Sequence, residues 1–188
     1  MAFSSLVRSL LVSSTVLCLI PISVQTVLNR PGWAVPINQT PVALAPQRAG
    51  WQAIQQFALD LANRDRMAQG LAPMEIDPLL AEAAQAHAND MLRRNYFDHY
   101  SPEGVSPADR LAALGRQAFP AENIAMREGL GSRRIQASVL ERFQQQWMAS
   151  PSHRRNLMNP NYVRFGYGVA FDPSSGRIFA VQLFTRRS

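Results

Sequence analysis

The chain contains no lysine: all nineteen of its basic residues are arginine. No physical reason for that absence is visible in the sequence. Cysteine is nearly absent too, and the single one, Cys18, lies in the N-terminal segment. Acidic residues are missing from the first 59 positions; Asp60 is the first. No compact HExxH stretch, no nucleophile-elbow motif and no internal repeat occur. These gaps remove several classes. If the N-terminal segment is cleaved, the remaining chain has no cysteine nucleophile, no thiolate metal site and no disulfide. A domain of about 140 residues does not need a disulfide to fold.

The N-terminal segment itself is informative. Arg8 precedes an apolar run from Leu10 to Ile20, and Gly32 and Ala34 stand at the small-x-small spacing of a cleavage site. Residues 1–34 therefore read as a secretory signal peptide. The alternative is an uncleaved anchor, because Leu10 to Leu28 is nearly long enough to span a bilayer; Pro21 and several polar residues oppose it. Cleavage takes away Arg8 and Arg30 and leaves 17 basic against 13 acidic residues, a net charge of +4. Residues 35–48, with Pro36, Pro41 and Pro46 spaced by five, read as an extended Pro-rich linker. The folded domain is expected over residues 49–188.

Within that domain the hydrophobic period is first helical and then alternating. Ile54, Phe57, Ala58 and Leu61 have helical spacing, and Gly70 closes that helix. Asp77 and Pro78 are a cap and a first helical residue for the helix carrying Leu80, Ala84, His87 and Met91. Ser106 and Pro107 open a short helix that stops at Gly115. "FPAENIAM" reads as a loop entering a strand. Ile135, Val139, Phe143 and Trp147 recur every four residues. In "VRFGYGVAF" large residues alternate with Gly166, Gly168 and Ala170, so one strand face is bare and invites close approach by a helix. "RIFAVQLFT" follows a turn and pairs with it. Helices first and a hairpin last make an α+β pattern.

Three histidines remain after Met1–Ala34 is set aside. His87 lies on an apolar helix face and reads as a buried structural residue. His99 lies in a loop between two well-capped helices, which can hold its side chain with little freedom. His153 follows Ser150 and Pro151 and falls at the third position of a short helix. The helix dipole and Arg154 and Arg155 disfavour an imidazolium there, so its ring is expected to stay neutral. Glu122, among small and apolar residues, is the nearest acidic candidate. A partly buried carboxylate needs a cation or donor beside it. His99, Glu122 and His153 are the ligand types of many zinc sites, although spacing alone ties them together only weakly.

Taken in order, "HANDMLRRNYFDHYSPEG", "AENIA", "WMASPSHRRNLMNPNYVRFGYGVA" and "FAVQLF" resemble the CAP superfamily. This is the cysteine-rich secretory protein, antigen 5 and pathogenesis-related 1 domain, also called the SCP domain. The chain is most similar to its bacterial branch. The likeness runs from about Gln52 to Phe184. It implies a three-layer α-β-α sandwich with a small antiparallel sheet between helices and an open cleft lined by histidines and glutamates. It implies that His99, Glu122 and His153 lie in that cleft and share a divalent cation such as zinc, with Ser150 and Gln182 as cleft or supporting residues. Two positions depart from the eukaryotic pattern. Ser150 stands where a glutamate follows the tryptophan, and no histidine precedes Gln182.

The function expected from this resemblance is that of a secreted or extracytoplasmic binding module, in the periplasm or at the cell surface. Its cleft would hold a lipid or an anionic cell-envelope component. The Arg pairs at 93/94, 133/134, 154/155 and 186/187 suit anionic surfaces. A metal-dependent extracellular hydrolase is the alternative, since two histidines and a glutamate can activate water. No general base is evident for it. A nucleic-acid partner is not expected, because export removes it and no recognition motif is present.

Overall fold

The computed structural model describes residues 44–130 and 134–187. The expected signal peptide and the first part of the expected linker lie outside the described residues. The chain divides into Met1–Gln39 and a compact unit, Thr40–Ser188, that carries the fold. Among the described residues nine elements follow one another: α1 (Leu44–Met67), β1 (Glu75–Ile76), α2 (Pro78–Arg94), α3 (Pro107–Ala113), β2 (Ala121–Arg127), α4 (Ala137–Ala149), α5 (Pro151–Leu157), β3 (Arg164–Asp172) and β4 (Arg177–Thr185). Helix α1 starts at Leu44, inside the stretch expected to be an extended linker. Pro46 tolerates this because it stands in the first turn, where a missing N–H is no loss.

The sheet has the order β1-β3-β4-β2. β3 and β4 form the expected antiparallel hairpin, with Gly168 opposite Val181. β2 is antiparallel to β4, with Glu122 opposite Leu183. β1 is only two residues long and pairs parallel with β3, an addition the sequence pattern did not show. β2 is a seven-residue strand that begins at Ala121, so the stretch "FPAENIAM" enters it after a loop of Phe119 and Pro120, as expected. Its alternation is hidden because Glu122 and Asn123 are both buried polar residues on opposite faces.

Helix α2 covers one face of the sheet, while α1, α4 and α5 cover the other. Phe165, Tyr167 and Val169 of β3 point into the α1–α4 side together with Phe143 and Trp147. Leu80, Ala84, Ala88 and Met91 of α2 pack on Phe179, Val181 and Leu183 of β4. The result is a three-layer α-β-α sandwich. The bare face of β3 lies under α2: a Cβ on Gly166 would stand 2.2 Å from the Leu80 carbonyl carbon, and one on Gly168 2.3 Å from that of Ala84. Backbone thus rests on backbone. α2 begins as expected, with Asp77 Oδ1 accepting from the Leu79 and Leu80 amides at 3.0 and 3.1 Å.

Two features hold the far ends of the layers together. Arg66, 1% exposed, donates to four carbonyls: Ala72, Leu157, Asn159 and Tyr162. It joins the end of α1 to the segment between α5 and β3. On the sheet's edge strand β2, the Glu122 carbonyl accepts from Asn156 Nδ2 and the Ile124 carbonyl from Trp147 Nε1. Side chains from α5 and α4 therefore close an edge that would otherwise offer unpaired carbonyls.

Candidate functional site

The site is built around Glu122 on β2. Its side chain is 2% exposed. Arg110 of α3, 4% exposed, donates from NH2 to Glu122 Oε2 at 2.5 Å. His99 Nδ1 donates to Glu122 Oε1 at 2.8 Å. Both carboxylate oxygens are thus engaged, one by a guanidinium and one by an imidazole.

The loop between α2 and α3 is held from several sides, which is why His99 has a definite place. Arg94 grips Glu103 with two bonds, 2.9 and 2.6 Å. Arg110 NH1 donates to the His99 and Val105 carbonyls, 3.1 Å each. His87 Nε2 donates to the Asp98 carbonyl at 2.9 Å. His87 is 1% exposed and structural, as its helix face implied. Burial pushes its pKa down to about 4, against the raising effect of Glu122. Its 3.9 Å approach to Glu122 is accordingly that of a neutral ring.

The pKa values of His99 and His153 are shifted in opposite directions. The hydrogen bond to Glu122 raises the His99 pKa above the ordinary imidazole value, against a smaller opposing effect of burial. His99 keeps 45% of its side chain exposed, so it presents a cation-prone ring to solvent. His153 is the third residue of α5, and its pKa is lowered, first by burial and second by the charge of His99. This is the direction expected for a ring at that position, and burial is its largest cause. The His153 Nδ1 atom is buried and has no hydrogen-bond partner.

The support for His153 is a line of amides through the sheet. Asn123 Nδ2 donates to the His153 carbonyl and to Gln182 Oε1, 3.2 Å each. Gln182 Nε2 donates to Gln144 Oε1 at 3.0 Å, and Gln144 Nε2 to Asp65 Oδ2 at 2.8 Å. Asn156 Nδ2 donates to Asn123 Oδ1 at 2.8 Å. Gln182 is fully buried, so it supports the site and does not line it. Ser150 is the residue before α5, but its hydroxyl bonds Ser152 Oγ at 3.2 Å and caps no amide.

Among the described residues, no three His, Cys, Asp or Glu side chains form a group that could hold a metal ion. Arg110 sets the charge balance at Glu122. A cation at Glu122 would face a buried guanidinium already bonded to the same carboxylate. In this arrangement Arg110 and His99 occupy the two Glu122 carboxylate oxygens. Sequence reasoning missed Arg110, since nothing in a short capped helix marks one arginine as buried. It also missed Asn123 and Asn156. The adjacent polar pair Glu122-Asn123 inside an apolar strand was the available signal.

A three-layer fold of this kind, with a His–Glu cluster beside the sheet's edge strand, defines a class of protein. The chain belongs to the cysteine-rich secretory protein family, called CAP, whose family model matches residues 59–184. It is 36% identical over 131 residues to the uncharacterized protein YkwD of Bacillus subtilis, covering 69% of this chain and 46% of YkwD. The chain thus spans less than half of that relative. An extracellular SCP-domain protein from Bacillus anthracis is 29% identical with a TM-score of 0.60, over 79% of this chain and 44% of that one. An outer surface protein from Borrelia burgdorferi shares the fold, with 23% identity and a TM-score of 0.57 over 70% of this chain and 92% of its own. These structural neighbours are extracellular or outer-surface proteins. Among the described residues, no helix is long and apolar enough to cross a membrane.

Proposed function

We propose that this chain is an exported binding module that holds a lipid or another cell-envelope component in the cleft between the His99 loop and α5, without turning it over. The observation that carries this reading is the pair of oppositely tuned imidazoles. His99, whose pKa the hydrogen bond to Glu122 raises and whose ring stays 45% exposed, offers a donor to a phosphate or carboxylate oxygen. His153, whose pKa burial lowers, offers a ring that favours the uncharged form. Arg110 and the Asn123 amide line hold both in place, so ligand binding spends little on ordering them.

Neighbouring hydroxyls support binding over hydrolysis. Ser101 Oγ donates to Glu103 Oε2 at 3.0 Å and accepts from the Glu103 and Val105 amides. Ser150 Oγ is paired with Ser152. Neither is bonded to an imidazole, so neither is set up as a nucleophile.

The test is a lipid-extraction assay. Protein is incubated with isotope-labelled bacterial envelope lipid, with and without EDTA, and the bound and free fractions are analysed by mass spectrometry. Intact lipid should be carried in both conditions, with loss in His99→Ala and His153→Ala. Cleaved lipid that vanishes with EDTA would establish the hydrolase instead.

A further inference from the structure

One concave region shares no residue with the histidine site. A pocket of about 440 Å³ opens at the end of the sheet where β2 and β3 begin and β4 ends. Four arginines line it: Arg116 after α3, Arg164 at the start of β3, and Arg186 and Arg187 after β4. Asp77 is the one carboxylate among its described lining residues, and it is already committed. Its Oδ1 caps α2, and its Oδ2 accepts from Arg116 NH1 at 2.6 Å. Arg164 reaches out of the pocket to the exposed Glu75, 2.6 Å. Arg186 and Arg187 are exposed and have no ion pair with any described residue.

The apolar component of the pocket is equally distinct. Phe119 is 93% exposed, the most exposed large apolar side chain among the described residues. Across the pocket, Tyr162 stacks on Phe184, with ring centroids 6.0 Å apart and planes at 19°. Arginine forks and aromatic faces are thus combined around one concavity.

We propose that this pocket binds a phosphate-headed amphiphile. Arginine forks match phosphate oxygens in bidentate fashion, and several of them around one space suit a group of more than one negative charge. The volume falls in the range of ligand pockets, roughly 300–1,000 Å³, and exceeds what a bare phosphate fills. The remainder faces Phe119 and Tyr162, where the apolar body adjoining the head lies. The site is independent of the histidine cleft and does not rest on how that cleft is read.

Calorimetry on the full chain tests this with three soluble probes: inorganic phosphate, dihexanoyl phosphatidic acid and dihexanoyl phosphatidylcholine. Phosphatidic acid should bind at least about tenfold more tightly than either of the others. Arg186→Gln and Arg187→Gln should each weaken it about tenfold, the usual loss of a charged hydrogen bond. Phe119→Ser should weaken phosphatidic acid and leave phosphate unchanged. Arg142→Gln, on the exposed side of α4, removes the same charge elsewhere and should change nothing. Three results would overturn the proposal: equal binding of phosphate and phosphatidic acid, equal binding of the two lipids, or an equal loss in Arg142→Gln. The first would mean a free-phosphate site, the second a purely apolar one, the third a general charge effect.

Discussion

Arg110 and Glu122 are an ion pair sealed inside the protein, 4% and 2% exposed, with NH2 and Oε2 2.5 Å apart. The pair does more than cancel two charges. It aims the other carboxylate oxygen at His99 and draws the His99 loop in through its carbonyl. Breaking such a pair from one side leaves a buried charge without its partner. Arg110→Met should therefore destabilise the fold by about 3–5 kcal/mol, read from chemical denaturation. The double variant Arg110→Met/Glu122→Leu should recover much of that loss. Equal instability of the single and double variants would show that the pair contributes through packing alone.

The same carboxylate controls His99. Glu122→Gln removes the negative acceptor that raises the His99 pKa. NMR titration should then show His99 titrating at lower pH than in the wild type, and His153 titrating higher once His99 is no longer charged beside it. Unmoved His99 titration would contradict the 2.8 Å contact as the source of its shift.

His87 makes acid sensitivity a property of the fold. Its folded pKa, about 4, lies below the ordinary 6.5. The unfolded chain thus takes up a proton on His87 before the folded one does. Its neutral form stabilises the fold fully above about pH 6.5; that contribution falls as pH drops toward 4 and levels off below it. The full loss is on the order of 3 kcal/mol. His87→Gln, which can still donate to the Asp98 carbonyl, should flatten the stability profile between those limits. His99 acts in the opposite sense: its raised pKa adds stability that is fully present below 6.5 and is lost as pH rises through the folded value. The comparison must therefore be made against wild type at each pH.

Gly168 reports on the α2–β3 contact. The nearest atoms to an added Cβ are backbone atoms of Ala84 and Gln85 at 2.3–2.4 Å. No rotamer change relieves that. Gly168→Ala should destabilise by roughly 3 kcal/mol, the upper end of ordinary overpacking. A thermal midpoint equal to wild type would mean that α2 can lift from the sheet without loss.

Export is tested by intact mass. The protein recovered outside the cytoplasm should begin near Val35, the residue after the small-x-small pair Gly32 and Ala34. A full-length species held in the membrane would support the anchor alternative.

The sequence by itself determined the helices with strong local signals, the final hairpin and the bare strand face. Asp77-Pro78, Ser106-Pro107 and the Phe165/Tyr167/Val169 alternation are short-range patterns, and their physics is local. It also identified the CAP resemblance, and with it His99, Glu122 and His153 as residues of one region. Tertiary structure decided the rest. β1 is two residues long and exists only because β3 lies beside it. β2 shows no clean alternation, since both its faces are covered and two polar residues occupy its middle. That Glu122 faces a guanidinium depended on α3 folding back to bring Arg110 within 2.5 Å. A pair separated by twelve residues, in different elements and with no periodic relation, leaves no local trace. The opposite tuning of His99 and His153 has the same origin. Each ring's protonation is set by burial and by a partner supplied from elsewhere in the chain, and both are created only when the layers close.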